Sequence, residues 1–190
     1  LNADYSLSRP LFDALNSVDV SKADQETQQH VKKMLLGFTL SGVDKDQKTR
    51  DLIKSKQEEI SKIGQEFDKN IREDVRYLEL TSVDQLAGLP QDYIDSHQPD
   101  EKGLIRLSTN YPDYYPFATY AESDDLRKQF YILGRSRGYP KNKQVLTDLV
   151  QERHELAKIL GYDNYAQYVT ADKLIANPEN ALNFIEHIAS

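Results

Sequence analysis

Over most of this chain apolar residues recur three, four or seven positions apart, which predicts helices. Val31, Met34, Leu35 and Phe38 put one apolar face on a helix over 23–40, and Ser41-Gly42 breaks it. Asp44, followed three residues later by Gln47, reads as a capping-box start for a longer helix. Its Leu52, Ile53, Ile60, Ile63, Phe67, Ile71 and Val75 keep the helical spacing, and the short turn before it implies an antiparallel hairpin of helices. Val145, Leu146, Leu149, Val150, Leu156, Ile159 and Leu160 mark another long helix over 141–160. Gly161 stands where a helix stops in the left-handed conformation, and a second helix restarts just after it.

Shorter elements fill the rest. A short helix and turn is expected over 84–90, another turn or two over 91–96, and helices over 123–134, 164–175 and from Pro178 onward. The last has Asn177 as cap and proline at its first helical position. The pattern changes where Leu104, Ile105 and Leu107 on one side and Phe117, Ala118 and Thr119 on the other flank the Pro- and Tyr-rich stretch Tyr111-Pro112-Asp113-Tyr114-Tyr115-Pro116. A small two-stranded element is expected there. The fold class is therefore mostly α: antiparallel helices with one small β hairpin-like element. Residues 1–100 read as an N-terminal helical hairpin region and 101–190 as a β element plus a helical region. No internal repeat is evident.

Charge narrows the partners. With 24 Lys and Arg against 31 Asp and Glu the net charge is -7, so no general attraction to nucleic acid or to an anionic membrane surface is expected. Pairs such as Lys54 with Glu58 and Lys62 with Glu66 belong to solvated helix faces. The absence of cysteine excludes disulfides and thiolate ligands from these 190 residues. No apolar run approaches the roughly 20 residues that span a bilayer, and a cytoplasmic location is the expectation. The chain opens on Leu and closes inside the pattern Ala181, Leu182, Ile185, Ile188, Ala189 without a cap, so it is expected to be part of something longer. Alone, it is expected to self-associate through that apolar face.

Four features bear on chemistry. His154-Glu155-Leu156-Ala157-Lys158 begins like a helical zinc motif but ends on lysine, whose protonated ammonium has no lone pair for a metal. Arg153 and Glu155 read instead as scaffold that pairs with neighbouring helices. His30, His97 and His187 sit on separate segments without repeated spacing to carboxylates and read as surface residues. The loop from Gly134 to Lys143 carries Arg135, Arg137, Lys141 and Lys143 and no acid, yet one short loop on an acidic chain reads as a solvated connector rather than a phosphate grip. Tyr111, Tyr114 and Tyr115 are the candidate peptide-contacting residues, because tyrosine joins a stiff apolar ring to a hydroxyl; packing over neighbouring helix ends is the competing role. No serine elbow or phosphate-cradling glycine loop is present.

The order Arg153-His154-Glu155-Leu156-Ala157, Ile159-Leu160-Gly161-Tyr162 and Asn164-Tyr165-Ala166 resembles the thimet oligopeptidase family of zinc metallopeptidases, which includes neurolysin, oligopeptidase A and peptidyl-dipeptidase Dcp. Gly37 to Val43, Phe67 with Asn70, Leu86 to Pro90, Lys173 and Asn177-Pro178 follow in the family's order, while Glu152 and Leu174 replace its usual Leu and Met. The resemblance implies the N-terminal, non-catalytic portion of a larger helical peptidase. Its catalytic His-Glu-x-x-His would lie in a C-terminal catalytic region of the same chain, with zinc in the full-length protein and no catalytic or metal residue in this segment. Short peptides would be the substrates, and this portion would form part of the channel wall. The alternative is a stand-alone helical protein-interaction module without catalysis.

Overall fold

A computed structural model describes residues 7–189. In chain order the helices are α1 (Arg9–Asn16), α2 (Gln25–Leu40), α3 (Gln47–Glu73), α4 (Gln91–Ser96), α5 (Tyr111–Tyr120), α6 (Asp124–Arg135), α7 (Lys141–Leu160), α8 (Tyr165–Thr170) and α9 (Pro178–Ala189). Between α3 and α4 come strand β1 (Tyr77–Leu80) and one 3-10 turn (Val83–Leu86), and strand β2 (Ile105–Ser108) precedes α5. The fold is mostly α, with one small antiparallel sheet. Two compact units divide the described residues, one from 7–63 and 147–189 and the other from 64–146.

In the first unit, side-chain caps start the helices. Asp24 accepts from Thr27 N–H at 2.8 Å to open α2. Asp46, not the expected Asp44, accepts from Thr49 N–H at 2.9 Å before α3, because three residues separate it from an orphan first-turn donor. Asn177 does the same for Asn180 N–H at 2.8 Å before α9. α8 ends at Thr170, five residues short of the expected Ile175.

Two helices stop by one device. At α2, Gly42 N–H bonds Thr39 O at 2.9 Å and Val43 N–H bonds Phe38 O at 3.2 Å. At α7, Gly161 N–H bonds Lys158 O at 3.0 Å and Tyr162 N–H bonds Ala157 O at 2.9 Å. Both are Schellman closures, with glycine at φ 83° and 95°. Gly42 has a second reason to be glycine, since a Cβ would come within 2.4 Å of Ile53 Cδ1 and 2.9 Å of Leu160 Cδ2. That closeness lets Ile53, Leu156 and Leu160 bury together, with Ile60, Ile159, Tyr162 and Tyr168 around them.

Beside this core Lys56 reaches from α3 to α7, donating to Glu152 at 2.8 Å and also to Glu155. Hydrogen bonds to Glu152 and Glu155 raise the Lys56 pKa above its ordinary 10.5, and the bond from Lys56 lowers the Glu155 carboxyl below its ordinary 4.5. A raised lysine stabilises the fold below 10.5 and ceases to as pH climbs through the folded value; a lowered carboxylate stabilises above 4.5 and ceases to as pH falls through the folded value. Lys56→Met is therefore expected to lose stability most near about pH 7, with the gap to the parent narrowing near about pH 3 and again near about pH 12, read from urea midpoints. A gap independent of pH would remove the ion pairs from this account.

The second unit has its own core: Leu78, Leu80, Leu86, Leu89, Tyr93, Ile105, Leu107, Phe117, Ala121 and Phe130. Phe117 and Phe130 meet edge to face, with centroids 5.4 Å apart at 88°. The sheet corrects the sequence reading. β2 lies near the expected first strand, but its partner is β1, paired antiparallel in the register Tyr77 with Ser108 and Leu80 with Ile105. The supposed connector and second strand are helix α5. Asn110 occupies its N-cap position, Pro112 falls in the first turn where no N–H is needed, and Phe117 is fully buried on its inner face. β1 has its own alternation, Tyr77 and Glu79 out with Leu78 and Leu80 in, but it follows directly on the helical spacing that seemed to run to Val75. Helix α1 carries no expectation from the sequence; Ser8 precedes it and proline sits in its first turn.

Candidate functional site

Tyr111 and Tyr115, one helical turn apart, share a face of α5, with ring centroids 4.1 Å apart. They are 72% and 52% exposed. Tyr114 turns the other way, its ring 5.1 Å from Phe130, and a Cβ on Gly134 would stand 2.9 Å from its Cε2. Of the three candidate tyrosines, two form an outward aromatic pair and the third is packing. A hydrogen bond with Tyr115 raises the Tyr111 phenol above its ordinary 10.0.

Asp113 holds this turn in place. Its Oδ2 accepts from Ser108 N–H at 2.8 Å and from Ser108 Oγ–H at 2.5 Å, its Oδ1 lies 3.3 Å from His97 Nε2, and its carbonyl accepts from the Tyr93 hydroxyl at 2.9 Å. The His97 ring stacks on Tyr93 at 4.1 Å. Burial, with Asp113 adjacent, pushes the Tyr93 phenol well above the usual tyrosine range, which keeps it a donor. One carboxylate thus ties the end of β2, α4 and the first turn of α5. His97, read from the sequence as a surface residue, has a side chain only 17% exposed, because this network draws it in. Two serines approach this imidazole. Ser108 is separated from it by the Asp113 carboxylate, and Ser96 Oγ lies 3.1 Å from His97 Nδ1 but donates to Tyr93 O at 2.8 Å, the same carbonyl that lies 2.8 Å from Nδ1. Neither hydroxyl is set to give its proton to the ring as nucleophilic catalysis requires.

The basic loop is likewise no solvated connector. Arg137 donates to Ile71 O at 2.9 Å, Arg72 O at 3.1 Å, Asp74 O at 3.1 Å and Thr109 O at 2.9 Å. Its guanidinium thereby closes the C-terminal carbonyls of α3, which the helix itself cannot satisfy. Asp74 accepts from Arg76 at 2.9 Å and from Gly138 N–H at 2.8 Å, and the Arg76 bond first of all holds its carboxyl below the ordinary 3.8. Buried Asn70 donates to Asn142 at 2.8 Å, and Asn142 donates to Phe67 O at 2.9 Å. Arg135 lies over the Tyr131 ring at 5.2 Å.

The pentad from His154 is scaffold at the positions that mattered. His154 is exposed, Glu155 is held by Lys56, and Lys158 lies 3.9 Å from Asp163. Arg153 stacks over Tyr165 of α8 at 5.3 Å. His30 and His187 are exposed. Among the described residues no three His, Cys, Asp or Glu side chains converge as a metal site would need, and no helix is long and apolar enough to cross a membrane.

The sequence model of peptidase family M3 matches residues 117–190. Saccharolysin of Saccharomyces cerevisiae is 33% identical over 200 residues, covering 99% of this chain. The chain belongs to the thimet oligopeptidase family, peptidase family M3. The thimet-like oligopeptidase of Dictyostelium discoideum is 29% identical over 91% of the chain, and oligopeptidase A of Escherichia coli 27% over 97%. The chain spans 28%, 26% and 29% of the length of these three relatives. The segments that carry the family likeness have structural roles here: Gly42 and Gly161 close helices, Asn70 makes a buried amide pair, and Gly88 allows a close backbone passage.

Proposed function

We propose that residues 1–190 are the N-terminal, non-catalytic portion of a zinc-dependent oligopeptidase that hydrolyses short peptides, and that they form part of the wall of its substrate channel. Likeness to saccharolysin along 99% of the chain carries this reading, since it ties the whole chain rather than one motif to a peptidase about three and a half times as long. Zinc and its ligands would belong to the C-terminal catalytic region of the same protein, where the metal would polarise the scissile carbonyl and activate water. The residues described here would supply shape. On α9, Leu182, Ile185 and Ile188 are 56%, 62% and 68% exposed, an apolar face of the kind that such a catalytic region would cover.

The outward pair Tyr111 and Tyr115 would touch peptide. In the longer protein, Tyr111→Ala with Tyr115→Ala is expected to raise KM for a short quenched peptide about tenfold while kcat stays within about twofold, because the lost contact is uniform binding rather than transition-state stabilisation. An unchanged KM would remove the pair from the channel wall.

A further inference from the structure

The sheet of the second unit has only two strands, so each strand has an outer edge. Just beyond the paired residues, Thr109 N–H donates to Arg76 O at 2.8 Å, which sets the phase of the ladder. Residues 78 and 107, and 80 and 105, exchange backbone bonds; 77 with 108 and 79 with 106 turn their N–H and C=O groups outward. The two edges are not equivalent. On β2 the Ser108 N–H is taken by Asp113, and α5 starts three residues later. On β1 the outward backbone groups of Tyr77 and Glu79 make no hydrogen bond among the described residues.

The side chains around that edge are amphipathic. Leu78 and Leu80 lie on the buried face, while Tyr77, 53% exposed, and Glu79 lie on the open one, Glu79 with Arg106 at 3.1 Å across the pair. Four outward groups, two donors and two acceptors, match about three residues of extended chain, or about 10 Å. We propose that the outer edge of β1 binds a short extended peptide as a third strand. Bonding through the backbone tolerates many sequences; the exposed ring of Tyr77 favours apolar side chains, and Glu79 a basic one, on the peptide's open face. A short peptide is the fitting occupant because it has no fold of its own to satisfy its amides. This deepens the peptidase reading and rests on it only for the supply of short peptides.

The test is a titration of the 190-residue chain with the capped peptide acetyl-Val-Thr-Val-Arg-Val-Thr-amide, followed by amide NMR. The Tyr77 and Glu79 amides are expected to shift saturably. Methylating alternate peptide nitrogens in one phase should weaken binding more than about tenfold, and in the other phase by less than about threefold, since only one phase faces β1. Glu79→Pro deletes an outward N–H without touching the bonds to β2 and should also weaken binding about tenfold, whereas Glu79→Ala should keep it within about threefold. Equal effects of the two methylation phases would overturn the proposal, as would β1 shifts that come from raising protein concentration without peptide, which would make a second copy the occupant. If the longer protein cleaves no peptide while the phase dependence holds, the peptidase reading fails and this site stands.

Discussion

Replacing Arg137 by leucine is expected to lower the unfolding free energy by about 3 kcal/mol, whereas Arg135→Leu, two residues away in the same basic loop, should cost no more than about 1 kcal/mol. The difference follows from what each guanidinium touches. Arg137 bonds the carbonyls of Ile71, Arg72, Asp74 and Thr109, and leucine would leave them without a charged donor in a partly buried place. Arg135 lies over one exposed ring. Urea unfolding of the two variants and the parent reads the contrast directly, and equal costs would mean that the carbonyl clamp contributes nothing. Lysine at 137 should recover only part of the loss, since an ammonium cannot reach four carbonyls in the plane of a guanidinium.

Gly88→Ala is the second large effect, expected at about 3 kcal/mol or more. Gly88 has φ 90°, a region that alanine enters only under strain, and a Cβ there would stand 2.3 Å from the carbonyl oxygen of Tyr120. That oxygen is backbone at the end of α5, so relief requires moving the helix. The neighbouring link Glu122 N–H to Ala87 O at 3.0 Å would break with it. Gly103 serves as the control: it also has positive φ, at 76°, but a Cβ there meets nothing within 4 Å, so alanine should cost only about 1 kcal/mol. A Gly88 variant no less stable than the Gly103 variant would contradict the packing described.

These two sites show which parts of the molecule its sequence discloses. The helices announce themselves through local spacing and local punctuation. The apolar stripe of α7 ends at Gly161 and α9 starts at Asn177-Pro178, because caps and left-handed glycines act within a few residues. The sheet does not, because β1 and β2 find each other across a long stretch of chain and are four residues each. Over 111–116 two prolines and three tyrosines mimic a turn; helix wins because Pro112 falls where no donor is needed and Phe117 gains full burial. Tyr111 and Tyr115 were legible as aromatic neighbours, but their separation from inward-facing Tyr114 needs the helical period. Asp113, His97 and Arg137 carry no local signal at all. The side-chain partners of Asp113 and Arg137 lie between 5 and 66 residues away, and His97, beyond its neighbours Tyr93 and Ser96, meets Asp113 16 residues on; only the tertiary fold joins them.

Whether residues 1–190 are part of a zinc peptidase is read from cleavage of a quenched short peptide by a longer protein that joins them to the proposed catalytic region, with and without a zinc chelator. Cleavage that the chelator abolishes and added zinc restores is expected, and none from residues 1–190 alone. Chelator-insensitive cleavage, or zinc-dependent cleavage by residues 1–190 alone, would contradict that expectation.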